Sequence, residues 1–154
     1  VQAGIGTAIR TNVGGTLDAK RFQPLEIEGV VRMISDGRFR SESFGQTWFA
    51  GTTAVLQVDN ITLVVTSRFV QLYDRSLFLA HGCDPRQFEL VVVKSPHCQP
   101  HMFADWCGKL INVDAPGSTS ANLPYLGHTI CRRPMFPMEP DATFEPRVQI
   151  FRRR

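Results

Sequence analysis

Two runs rich in β-branched residues, TTAVLQV (52–58) and ITLVVTS (61–67), are separated only by Asp59 and Asn60. A two-residue link between strand-forming segments closes as an antiparallel hairpin, because parallel neighbours need a crossover of about a dozen residues or more. This feature restricts the chain to folds built around a sheet. The preceding segment, LEIEGVVRMI (25–34), begins by alternating apolar and polar residues, as a half-exposed strand does. SDGRF (35–39) follows. Its Asp36–Gly37 pair suits a first tight hairpin in which glycine accepts positive φ.

Beyond the hairpin, RFVQLYD (68–74) extends the sheet. Asp74 then offers an N-cap to a short helix, RSLFLAHG (75–82), which Gly82 ends. FELVVVK (88–94) has the continuous apolar character of a central parallel strand covered on both faces. PHMFADWC (100–107) carries proline at its start and Gly108 after its end, which predicts a helix. The 110–114 segment of KLINVD is the next strand, so these elements form a βαβ unit. The expected fold class is α/β in the mixed α+β sense: β-hairpins plus a βαβ unit, in a mixed sheet with few short helices.

The length of 154 residues fits a single domain spanning 1–154. Residues 1–24 are a glycine-rich lead-in without a sustained period. Residues 132–154 form a proline-rich tail expected to run extended. Hydrophobic residues make up 43% and charged residues 20%, the balance of a globular protein. No apolar stretch approaches the roughly 20 residues of a membrane span, and the N-terminus lacks the basic and long apolar regions of a signal peptide. A cytoplasmic location without a membrane partner is expected. The net charge of +3 is partly the FRRR ending, and no basic stripe with interleaved aromatics occurs. That pattern does not suit a nucleic-acid partner.

Cys83, Cys98, Cys107 and Cys131 form no CxxC pair and fit no zinc ribbon, so free thiols are expected. His97, His101 and Asp105 stand at i, i+4 and i+8, the spacing of one helical face. They are weak metal candidates: Pro96 and Pro100 disturb the first turn, and no glutamate base of the HExxH kind is present. A Cys98 nucleophile beside His97 or His101 lacks a third, orienting group. No catalytic residue is assigned.

The loops leaving the 88–94 and 110–114 segments are the better binding candidates, because ligands of open α/β sheets collect beyond the carboxyl ends of strands. Lys94 supplies a positive charge. Ser95, Ser118, Thr119 and Ser120 supply hydroxyls, Gly117 allows close backbone approach, and Asp114 borders the second loop. Arg68 ends another strand. Were the two strands adjacent and parallel, these groups would form a pocket for a carboxylate or phosphate. The simpler alternative is that Ser95 caps a helix, Lys94 reaches to solvent and PGSTS is a turn.

Several segments occur here in a recognisable order: GTTAVLQVDNITLVVTSRFVQLYD (51–74), VVVKSP (91–96), VDAPGSTSANLPYL (113–126) and RRPMFPME (132–139). From about Gly4 to Glu139 the chain resembles the C-terminal domain of the MlrC family, the microcystinase-C-like zinc metallopeptidases. The resemblance implies a two-part protein whose zinc is bound by His and Asp in a larger N-terminal domain. It implies no cofactor in this chain and makes the N-terminal metal-binding domain its partner. Self-association into a homo-oligomer is the other partnership the sequence allows. Where relatives read K-S-P-N-G-F-R, His97, Cys98, Gln99 and Pro100 stand at the last four positions, so the arginine is missing. The implied function is completion of the substrate cleft or domain interface of a peptide or amide hydrolase, with this chain alone inactive. A non-catalytic interaction or dimerisation module, or a small-anion-binding domain, is the alternative.

Overall fold

The Asp59–Asn60 turn closes a hairpin as expected, between β5 (Thr53–Val58) and β6 (Ile61–Thr66), with Val58 facing Ile61. Asp59 takes a left-handed φ of 50°. The Gln57 amide steadies the turn by donating to the carbonyls of Asp59 (2.8 Å) and Ile61 (3.3 Å). This is a computed structural model. It describes residues 2–15, 18–20, 22–94, 103–115, 122–143 and 145–152. Its contacts divide into two compact units, Val1–Ile111 and Asn112–Arg154. Length and composition give no sign of that boundary.

In the first unit, β1 (Ala8–Val13), β2 (Leu25–Ser35), β5 and β6 form a four-stranded antiparallel sheet in the order β1-β2-β5-β6. β2 is the strand predicted from LEIEGVVRMI. Its register against β5 shifts between Val31 and Met33, a bulge at the exposed Arg32. β1 lies inside the stretch read as a lead-in. Ile9, Thr11 and Val13 are half-buried while Ala8, Arg10 and Asn12 are exposed, a six-residue alternation hidden between glycine-rich flanks.

The Asp36–Gly37 hairpin does not form. Those residues carry the chain from β2 into a second, two-stranded sheet, where β3 (Arg38–Arg40) pairs antiparallel with β4 (Thr47–Phe49). Gly37 has φ 73°, and a Cβ there would lie 1.8 Å from the carbonyl oxygen of Gly51. Glycine therefore serves a close backbone crossing as well as a turn. Its own carbonyl accepts from the Ala50 N–H at 2.9 Å.

Phe39, Ala50 and Leu77 form the buried core cluster, with Trp48, Val64, Val70 and Leu72 packed against it. Leu77 comes from α1 (Ser76–Ala80), the short helix foreseen after Asp74. Trp48 joins Phe39, Phe44 and Tyr73 in an aromatic group, with ring centroids 5.7 Å from Phe44 and from Tyr73. The 68–74 segment adds no strand, yet Val70 and Leu72 bury there all the same.

The βαβ unit is the main correction. Neither 88–94 nor 110–114 is a strand, and residues 103–106 form turns, with the amides of Trp106 and Cys107 both donating to Phe103 O. The expected helix start, 100–102, lies outside the described residues. A strand exists only where a neighbour completes its ladder, and an apolar run cannot say whether one is present. Leu90 (73% exposed) and Val92 (80%) have no cover, although their chemistry calls for it. What remains is a mixed α+β fold, mainly sheet with few short helices.

The second unit contains a 3-10 turn, Leu123–Leu126, stopped by Gly127 in the left-handed region. The proline-rich stretch after it folds partly into turns instead of running wholly extended. The Glu139 N–H donates to Met135 O, the Glu139 carboxylate accepts from the Met135 N–H at 2.7 Å, and Arg133 pairs with Glu139.

Candidate functional site

The most elaborate polar arrangement in the first unit centres on Asp74, 6% exposed. Its Oδ2 accepts from Ser41 Oγ (2.7 Å) and from the Ser43 N–H (3.0 Å); its Oδ1 accepts from the Ser76 N–H (2.8 Å). The Ser76 hydroxyl in turn accepts from the Glu42 N–H at 2.9 Å. The N-cap of α1 is Arg75, not Asp74 as expected, but Asp74 one residue earlier still binds the Ser76 N–H at the start of the helix and also holds the loop between β3 and β4. Burial on its own would raise the Asp74 pKa. The hydrogen bonds from Ser41, Ser76 and the Ser43 and Ser76 amides outweigh it and hold the carboxyl at about 2. A carboxylate so acidic and so fully occupied is a poor base near neutral pH. Asp74 is a brace.

A second buried contact joins His81, 3% exposed, to Ser35. His81 Nδ1 lies 2.6 Å from Leu77 O, which can only accept, so Nδ1 carries the proton. Nε2 then accepts from Ser35 Oγ at 2.7 Å, and Ser35 Oγ accepts from the Gly37 N–H at 3.0 Å. The pair resembles half of a hydrolytic triad, but a backbone carbonyl occupies the place of the orienting carboxylate and the imidazole is buried. It fastens the end of α1 to the Gly37 crossing. In the sequence, Ser35 and His81 stand 46 residues apart with nothing to link them.

Near Asp74 an open cleft of about 400 Å³ is lined by Glu42, Arg75, Arg86, Asp105 and Trp106. Arg75 Nε contacts the Glu42 carboxylate at 3.1 Å, and Arg86 makes a forked contact to Asp84, with Nη2 at 2.7 Å. The hydrogen bonds of Arg86 hold the Asp84 carboxyl below its ordinary range, and Asp84 raises Arg86 in return. Both guanidiniums are therefore already committed, which weakens the cleft as an anion trap. Trp106 Nε1–H is buried there without an acceptor among the described residues.

The sequence-predicted site residues are scattered over different surroundings. Lys94 is exposed, its ammonium 5.7 Å from the Phe22 ring centroid. Arg68 is exposed and lies over the Phe49 ring at 4.8 Å, which Arg38 also approaches at 5.6 Å. Asp114, in the second unit, accepts from the Asn122 amide at 3.2 Å. Asp105 borders the Asp74 cleft. Ser95, His97, His101, Gly117, Ser118, Thr119 and Ser120 lie outside the described residues. Among the described residues no three His, Cys, Asp or Glu side chains gather as metal ligands. No helix among them is long and apolar enough to cross a membrane.

Residues 1–129 match the family model described as MlrC C-terminus. The chain belongs to the MlrC C-terminal family. No curated protein matches it. Among solved structures it is similar to a protein of Mesorhizobium sp. BNC1 described as a candidate metallopeptidase, with 27% identity and a TM-score of 0.77. That match covers 94% of this chain but 29% of the Mesorhizobium chain, so this MlrC domain spans less than a third of its neighbour's length.

Proposed function

We propose that this MlrC domain is the C-terminal part of a cytoplasmic zinc-dependent peptide or amide hydrolase, completing a substrate cleft or domain interface. Zinc in this reading belongs to an N-terminal domain. The supporting observation is the coverage: almost the whole chain superimposes on a small fraction of a metallopeptidase-like protein. Lys94, Ser95, Arg68 and the 114–120 loop are the residues proposed to face the substrate or the cleft. Lys94, Arg68 and Asp114 are exposed.

The test is to express the 154-residue chain alone and joined to whatever its reading frame encodes upstream of Val1. Zinc content and hydrolysis of a peptide library are measured for both. The joined polypeptide is expected to bind zinc stoichiometrically and to hydrolyse peptides; the chain alone is expected to do neither. Zinc and turnover in the isolated chain, or a frame with no upstream domain, would overturn the reading.

A further inference from the structure

The 88–94 segment is a strand by composition that pairs with nothing described. Phe88 has extended backbone angles (φ −114°, ψ 140°), yet residues 89–94 make no backbone hydrogen bond among the described residues. From Leu90 onward exposure alternates: Leu90, Val92 and Lys94 are exposed, while Val91 and Val93 are half-buried. This is the period of a strand seated on one face and bare on the other. Up to Lys94 the bare face is apolar, with Leu90 73% and Val92 80% exposed, and Phe88 two residues earlier 40% exposed. Backbone groups that pair with nothing described, beside exposed leucine and valine, suit a segment that adds as a strand to a sheet edge.

We infer that residues 88–94 dock as a β-strand onto an open sheet edge in the N-terminal portion of an MlrC-type protein, where Leu90 and Val92 become covered. The inference rests on the proposed function, because the occupant is the part of the protein that this domain is proposed to complete. That occupant is favoured by length: the neighbour carries more than two thirds of its chain outside the region matched here. Docking also supplies what the sequence asks of FELVVVK, apolar cover on both faces. The segment leads directly into Lys94 and Ser95, so its pairing would fix the proposed substrate-facing loop to the other domain.

Hydrogen–deuterium exchange on the isolated chain and on the joined polypeptide tests this. Amides 89–94 should exchange freely in the isolated chain and at least about 100-fold more slowly when joined. Leu90→Lys/Val92→Lys should abolish that protection and, with the two portions supplied as separate chains, weaken their association at least about tenfold. The variant's far-UV circular dichroism should match the parent, since both side chains lie outside the core. Zinc binding and hydrolysis in a joined polypeptide whose 89–94 amides stay unprotected would overturn the docking while leaving the proposed function intact. Protection that rises with concentration in the isolated chain, alongside a sedimenting dimer, would make a second copy the occupant and would also overturn it. A reading frame without an upstream domain removes both.

Discussion

Ser41 Oγ donates to Asp74 Oδ2 at 2.7 Å across 33 residues of sequence. That bond ties the loop after β3 to the entry of α1, so the second sheet and the helix share one buried carboxylate. Asp74→Ala would leave the Ser43 and Ser76 amides and the Ser41 hydroxyl without their acceptor. A loss of about 2–4 kcal/mol is expected, given the cost of several unsatisfied buried donors. Asp74→Asn should lose less, because its one carbonyl oxygen still accepts. Urea denaturation checks both; a shift of a few tenths of a kcal/mol for the alanine variant would refute the bracing role.

The same carboxylate predicts an acid limb. Its folded pKa of about 2 lies below the ordinary 3.8, so the folded state favours the ionised form. The stability gained is fully present above the unfolded value and is lost as pH falls through the folded one. The amount is about 1–2 kcal/mol, an order-of-magnitude figure. The stability gap between the parent and Asp74→Asn should therefore be constant near pH 6 and shrink between pH 4 and pH 2. A gap indifferent to pH would mean that Asp74 does not carry this linkage.

The hairpin, β2 and α1 were legible because each is local: an alternation, a two-residue turn, a short run ended by glycine. Asp74 was read one position off, since the N-cap is Arg75, but its bond to the Ser76 N–H lies at the same helix start. The Ser35–His81 contact and the hold of Ser41 and Ser43 on Asp74 were not, since they join residues 31 to 46 positions apart with no shared period. Asp36–Gly37 was misjudged for a related reason. Sequence marks a residue that tolerates positive φ but not whether the chain turns back on itself or crosses to another sheet. FELVVVK was misplaced because apolar content records a need for cover, and the described residues do not supply it. Of the proposed binding residues, Lys94 and Arg68 were placed at loop exits, but each rests on a different aromatic ring, Phe22 and Phe49.

Gly37→Ala should be among the most damaging small substitutions. The added Cβ would sit 1.8 Å from Gly51 O and 2.7 Å from Thr53 Oγ1, at a φ of 73° that alanine adopts only with strain. Backbone atoms on both sides must move, and the Gly37 N–H to Ser35 Oγ bond moves with them. A loss of at least about 3 kcal/mol is expected from overpacking and φ strain combined. Thermal unfolding that shifts by only a degree or two would show that the crossing is looser than the structure indicates.

Cys83 and Cys131 should separate cleanly by reactivity. Cys83 is 8% exposed, its thiol sits 3.4 Å from the His81 carbonyl, and burial pushes its pKa above the ordinary value. Thiolate is the attacking species, so low ionisation and poor access act in the same direction. Cys131 is exposed. Iodoacetamide at pH 7.5 should alkylate Cys131 at least about 100-fold faster than Cys83 in the folded chain, with the difference disappearing in urea. Peptide mapping by mass spectrometry reads both sites at once. Because Cys83 directly follows the Gly82 stop of α1, its protection also reports whether the end of the helix stays fastened through His81 to Ser35. Ser35→Ala should then accelerate Cys83 labelling without changing Cys131, and equal labelling of Cys83 in parent and variant would show that the Ser35–His81 contact does not hold that corner closed.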